Sequence, residues 1–206
     1  MAKMKLMYSP TSPYVRKVMV LAIEAGLDKK IDKETVATTP VAPNRDLAKT
    51  NPLVKVPSLQ AEGLSLYDSP VICEYLDNQH KRRKLVPRKG RDRWVALRLQ
   101  AMGDGLLDAA LLARYEGTLR PEDLRWPDWT KGQMKKIDGV LDQLEAEAKS
   151  LKGKPTIGTI TVGCALGYLD LRFATFDWRH KRPRLAKWFN AFSKLPSMKA
   201  TAPPAA

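Results

Sequence analysis

"SPTSPYVRKV", residues 9–18, sets four hydroxyl groups, Ser9, Thr11, Ser12 and Tyr14, and two prolines in front of an apolar run. The residues before it, "KLMYS" (5–9), form a short apolar strand candidate. Those after it, "PYVRKVMVLAIEAG" (13–26), put Val15, Val18, Met19, Leu21, Ala22 and Ile23 at helical spacing, with Gly26 as a C-terminal cap. The stretch therefore reads as the loop between a strand and a mostly buried helix. A helix start leaves backbone N–H groups unpaired at the positive end of the dipole, where an anion such as a thiolate can sit. Ser9, Thr11 or Ser12 could equally serve as a plain N-cap. On this stretch alone both readings stand.

Working outward, "KIDKETV" (30–36) is a weaker strand, and "KVPSLQAEGLSLYD" (55–68) reads as two short strands around a turn at Glu62-Gly63. Between them the chain reads as irregular. "NPLVKVP" (51–57) is extended and ends in proline, which suits backbone presented to a ligand and a cis Val56-Pro57 bond. An edge strand carrying a proline is the plain alternative. "DSPVICEYLDNQH" (68–80) opens a helix with an Asp68/Ser69 cap and Pro70 in its first turn, and its free N–H groups could take a carboxylate. Strands alternating with helices predict a mixed sheet covered by helices.

The second half reads as helices only: roughly 91–117, 128–150, 157–175 and a last one opened by Pro183. The first should bury Trp94, Leu97, Met102, Leu106 and Leu111. The third, apolar nearly all round, should lie at the centre. Four segments result: residues 1–80, a linker at 81–87, a helical domain at 88–200, and a frayed tail at 201–206.

Charge divides the chain at the same place. Residues 1–80 carry 10 Lys/Arg against 9 Asp/Glu, whereas residues 81–206 carry 26 against 13. Eight basic residues and one acid lie between Lys81 and Arg93. The runs Lys81–Lys84 and Arg179–Arg184 are expected to be solvated surface. They lack interleaved aromatics and any nucleic-acid motif, so no specific nucleic-acid partner is expected. Two cysteines far apart, Cys73 and Cys164, with His80 and His180, give neither a disulfide framework nor metal-ligand spacing. Both cysteines sit in apolar helical patterns and read as core. The longest uncharged run, 15 residues from Pro155 to Leu169, holds three glycines, so no membrane span is expected. No secretory leader is evident, and a reducing cytoplasm is the simplest compartment.

Taken in order, the Ser-Pro-aromatic helix start, Asn-Pro-x-x-Lys-Val-Pro and Asp-Ser before the next helix resemble the thioredoxin-like domain of cytosolic glutathione S-transferases. The resemblance runs on through the helical half, where "AMGDGLLDAALL" (101–112) looks like a bacterial subgroup. It implies an α/β thioredoxin-like domain followed by an all-α helical bundle, and a homodimer acting in detoxification. Glutathione would be the co-substrate, with no metal and a small electrophile as second substrate. Ser12, which stands where Cys-Pro-Tyr relatives carry their cysteine, is the implied catalytic hydroxyl, with Ser9 as rival and Thr11 as a cap. Tyr14 is implied to point into the domain. Glutathione would further meet Ser9, Lys55, Val56, Pro57, Asp68 and Ser69, and Asp104 would reach it on the neighbouring subunit. Asp108, one turn on, reads as a groove-facing polar residue. Thr156 and Thr159 replace the family's Ser/Thr–Asp capping box, a weaker cap. The missing cysteine disfavours a thiol–disulfide reductase. A non-catalytic binding or regulatory protein on the same scaffold is the alternative.

Overall fold

The computed structural model of the chain describes residues 4–204. Residues 1–3 and the last two of the expected tail, 205 and 206, lie outside the described residues. The chain packs as two compact units. One holds residues up to Arg93 together with those from Pro196 onward, and the other holds Trp94–Leu195.

In the first unit four strands, β1 (Met4–Tyr8), β2 (Ile31–Thr35), β3 (Ser58–Ala61) and β4 (Leu64–Leu66), form one sheet in the order β2-β1-β3-β4. β2 runs parallel to β1, while β3 and β4 are antiparallel to their neighbours. Helices α1 (Pro13–Ala25), α2 (Arg45–Thr50) and α3 (Ser69–Asn78) accompany it. α1 ends at Gly26 with φ 73°, the left-handed cap its sequence requires. The six-residue α2 falls in the segment expected to be irregular. Asn44 caps it through the N–H groups of Asp46 and Leu47, and one apolar side chain, Leu47, is buried. A turn that short has no periodicity to read. The C-terminal helix α8 (Pro196–Ala200) returns to α1: Arg16 Nη2 donates to Met198 O at 3.1 Å and Ser197 Oγ donates to Glu24 Oε1 at 2.6 Å. Within the basic stretch, Asp77 takes the N–H groups of Leu85 and Val86 and pairs with His80, while Lys84 Nζ donates to the carbonyls of Asp77 and His80.

The second unit is helical: most of α4 (Gly90–Thr118), then α5 (Pro127–Ala146), α6 (Ile157–Arg172) and α7 (Pro183–Phe192). α6 is buried nearly all round, as expected. Thr156 and Thr159 form both halves of a capping box at its start. Cys73, in the first unit, and Cys164 on α6 are both core residues.

Two expectations are corrected. Trp94 is 69% exposed, and the buried face of α4 is made by Ala96, Leu99, Gly103, Leu106, Leu107, Ala110 and Ala113. Small side chains on that face let α4 and α6 touch at backbone distance. A Cβ on Gly158 would lie 2.5 Å from Ala96 O, and one on Gly103 would lie 2.8 Å from Thr161 Cγ2. The run Arg179–Arg184 is exposed at His180, Lys181, Pro183 and Arg184, as expected, but Arg182 within it is not solvated surface. Arg179 grips both oxygens of Asp170 at 2.7 Å, Arg182 is buried and pairs with Asp138 and Asp142, and Arg184 pairs with Glu145. The desolvated guanidinium of Arg182 needs such partners.

Candidate functional site

The sheet register brings the three sequence features together. Met7 pairs with Ser58 and Leu59 with Leu66, so β1 ends, β3 begins and β4 ends at one end of the sheet. Ser9–Ser12 follow β1, Val56-Pro57 precede β3, and Ser69 follows β4 by three residues. Three neighbouring strands span ~10 Å, which is about the length of an extended tripeptide.

Ser12 is the N-cap of α1. Its Oγ accepts from the Val15 N–H at 3.3 Å, and Pro13, in the first turn, has no N–H to satisfy. Capping uses only a lone pair of the hydroxyl, whose hydrogen has no acceptor among the described residues. One side chain thus holds the helix start and still has its O–H to donate. Ser9 and Thr11 are half-buried with no side-chain partner among the described residues, and the Ser9 carbonyl accepts from Ser12 N at 3.1 Å. Arg16, one turn on, is spent on α8. Lys17 is buried, its Nζ 6.0 Å from the Tyr14 ring centroid.

Val56 precedes a cis bond to Pro57. Its side chain packs on a cluster of Met7, Val36 and Leu47. Its backbone N–H and carbonyl have no partner among the described residues. Lys55 is exposed. What holds this segment is a residue the sequence reading quoted in its motif but did not select. Asn51 is 1% exposed, donates Nδ2 to Lys55 O at 2.8 Å and accepts the Leu53 N–H on Oδ1 at 2.9 Å. Its backbone carbonyl takes the Val54 N–H, which helps hold Val54 at φ 51°. Thr38 Oγ1 adds a bond to Val54 O at 3.2 Å. Asn before Pro is the signal that could have found it, since both side-chain amide ends serve local backbone.

Ser69 stands at the first turn of α3 and is 2% exposed. The expected Asp68 cap is absent: the Asp68 carboxylate is exposed and makes no capping hydrogen bond. Neither the N–H nor the hydroxyl of Ser69 has a partner among the described residues. A serine whose N–H and hydroxyl both lack a protein partner at a helix N-terminus can donate to an anion. Asp104 and Asp108 lie on α4 in the second unit, the first half-buried and the second exposed. Among the described residues no group of three metal-ligating side chains comes together. No helix among them is long and apolar enough to cross a membrane.

A four-stranded mixed sheet with its flanking helices, followed by a helical unit, is the thioredoxin-like-plus-helical architecture. The family model of the glutathione S-transferase N-terminal domain matches residues 11–79, and that of the C-terminal domain matches residues 127–191. The chain belongs to the glutathione S-transferase family. It is similar to a glutathione transferase family member from Pseudomonas fluorescens Pf-5 with bound glutathione, at 46% identity over 98% of this chain and 100% of that one, with a TM-score of 0.97. A structure from the same organism with bound S-(propanoic acid)-glutathione matches at 45% identity over 98% and 100%, with a TM-score of 0.91. The uncharacterized GST-like protein YibF of Escherichia coli K12 is 33% identical over 98% of this chain and 100% of its own length.

Proposed function

We propose that this protein is a glutathione transferase that activates the glutathione thiol for attack on an electrophile. The observation that carries the reading is Ser69, buried with its N–H and hydroxyl both open, at the same sheet end as Ser12 and Val56. Glutathione lies extended there. Its γ-glutamyl carboxylate meets Ser69 beside Asp68, and its cysteinyl backbone pairs with Val56 ahead of Pro57. Its glycyl end lies toward Lys55, and its sulfur faces the Ser12 hydroxyl near Ser9. A free thiol has a pKa of about 8.5, so the thiolate is scarce at neutral pH. The Ser12 O–H and the start of α1 favour the charged form. Attack forms a carbon–sulfur bond, and the electrophile's leaving group or π-electron pair takes up the charge. The thioether bound by the P. fluorescens relative is the kind of product this reaction leaves, and it carries an acid on the sulfur substituent. Within this reading the protein is a cytoplasmic homodimer serving detoxification. Exposed Leu53, Leu64 and Val71 offer apolar surface in the first unit, and Asp104 serves the neighbouring subunit's glutathione.

The test is ultraviolet titration of the bound thiolate together with turnover of an aryl halide. The wild type should titrate below free glutathione. Ser12→Ala should raise that pKa and cut turnover roughly 10- to 1000-fold, with glutathione affinity little changed. Loss on Ser9→Ala in place of Ser12→Ala would move the catalytic role to Ser9. Retention of glutathione with no turnover of any electrophile would mark a non-catalytic binding protein.

A further inference from the structure

We infer that the second unit carries a separate site for the carboxylate of a small organic acid, formed by Arg114, Arg172 and Tyr168. Three observations place the site. α4 and α6 run in the same direction, because Gly158 meets Ala96 and Leu99 while Gly103 meets Thr161 further along both helices. From that second contact, Arg114 lies 11 residues on along α4 and Arg172 lies 11 residues on along α6. Eleven residues are close to three full turns and about 16 Å of rise, so both arginines return to the facing sides at one level. Tyr168, one turn before Arg172, shares its side.

Arg114 and Arg172 are half-buried, and neither guanidinium has an ion-pair partner among the described residues. Arg172 Nε is fully buried with no hydrogen-bond partner. The acids nearest in sequence are already committed. Glu116 holds Arg120 and the Trp126 N–H, and Asp170 holds Arg179 and the Trp178 indole. Arg179, Arg182 and Arg184 of the same unit are all paired. Arg172 Nε is thus a buried donor left unmet beside a second like charge, and an anion there would satisfy the one and offset the other.

Tyr168 is 4% exposed and its hydroxyl has no partner among the described residues. Burial raises its pKa above the usual phenol value, the charges of Arg114 and Arg172 pull it down, and Tyr115 raises it. The phenol is therefore a neutral donor at pH 7. Two planar guanidinium forks and one O–H suit a carboxylate, and the half-buried ring of Tyr115 offers flat apolar surface to an aromatic body. The inference uses only the second unit and does not depend on glutathione binding.

The test is calorimetric titration of the full chain at low salt with benzoate, its neutral isostere benzamide, and inorganic phosphate. Each titration is run with and without saturating glutathione. Benzoate should bind in both cases and benzamide should not. Arg114→Gln and Arg172→Gln should each weaken benzoate at least 10-fold, the scale of losing a charged hydrogen bond, and Tyr168→Phe by less. The unliganded Arg172→Gln protein should melt no lower than wild type, because a repulsion is removed. A merely structural arginine would give the opposite shift. Phosphate binding in place of benzoate, equal binding of benzamide, or benzoate affinity untouched by both arginine substitutions would overturn the inference. If Arg172→Gln fails to fold, Arg114→Gln decides alone. Loss of benzoate binding only when glutathione is present would mean that it occupies the glutathione site, which also overturns it.

Discussion

The two units treat their polar groups in opposite ways. At the sheet end of the first, the Ser12 hydroxyl hydrogen, the Val56 backbone and both donors of Ser69 stand open among the described residues. In the second, carboxylates hold five arginines: Arg98 pairs with Glu147, Arg120 with Glu116, Arg179 with Asp170, Arg182 with Asp138 and Asp142, and Arg184 with Glu145. A donor without a protein partner is met by water or by a ligand. The open groups of the first unit are therefore available to a ligand, whereas the helical unit spends its charged groups and close packing on its own core. Arg114 and Arg172 are half-buried arginines of that unit with no ion pair among the described residues.

The sharpest way to break the comparison is to disturb packing where the second unit has no slack. Gly158→Ala would place a Cβ 2.5 Å from Ala96 O and 2.7 Å from Leu99 Cβ. Backbone cannot step aside as a flexible side chain does, so the cost is about 1–3 kcal/mol or more. Thermal melting should drop by about 2–4 °C for each kcal/mol in a chain of this size. Glutathione affinity of the folded fraction should be unchanged. An unaltered melting temperature would mean that α4 and α6 are not held at backbone distance.

A smaller effect tests the first unit. Asn51→Ala removes the two side-chain bonds that hold Leu53 and Lys55, leaving the Val56 backbone less well aimed. Glutathione affinity should fall about 10-fold, equivalent to roughly 1.4 kcal/mol. The pKa of whatever glutathione still binds should stay at the wild-type value, since Ser12 is untouched. A changed thiol pKa with unchanged affinity would separate Asn51 from the peptide-binding segment.

Legibility followed how local each feature is. The ends of α1, the Asn-Pro segment and the start of α3 are set by neighbours within a few residues, so their placement could be read from the chain. Even there the sequence framed a false choice, because Ser12 caps α1 and keeps its proton, while Asp68, read as a cap, does not cap. The face of α4 was misread because it is buried through alanine and glycine, which carry little hydrophobic signal, leaving Trp94 outside. The burial of Arg182 was missed because its acids, Asp138 and Asp142, lie about 40 residues away on α5. The return of α8 to α1 is likewise a long-range contact with no local mark.

The smallest expected effect is the pH response of the paired second unit. Hydrogen bonding from Arg98 lowers the Glu147 carboxyl below its usual range, against burial, with Gln143 and the Arg98 charge adding to it. Burial alone would raise Glu145, but the bonds from Arg184 and from the N–H groups of Leu185 and Arg184 bring it below the usual value. Glu116 is lowered first by the Trp126 N–H and then by Arg120. All three are held lower in the folded state than in the unfolded chain, where a glutamate titrates near 4.3. Below that value the unfolded chain binds more protons, so stability falls as pH falls. The contribution is fully present at neutral pH and fades below about pH 4.5 toward the lowered folded values. Glu147→Gln removes one of these groups, so its melting temperature should start below wild type at pH 7, and the gap should narrow as pH is lowered toward 3. The partly exposed pair is screened, so the gap should also shrink in high salt. A gap that stays constant from pH 7 to 3 would show that the Arg98–Glu147 pair adds no pH-dependent stability, and that packing across Gly103 and Gly158 holds this unit without help from charge.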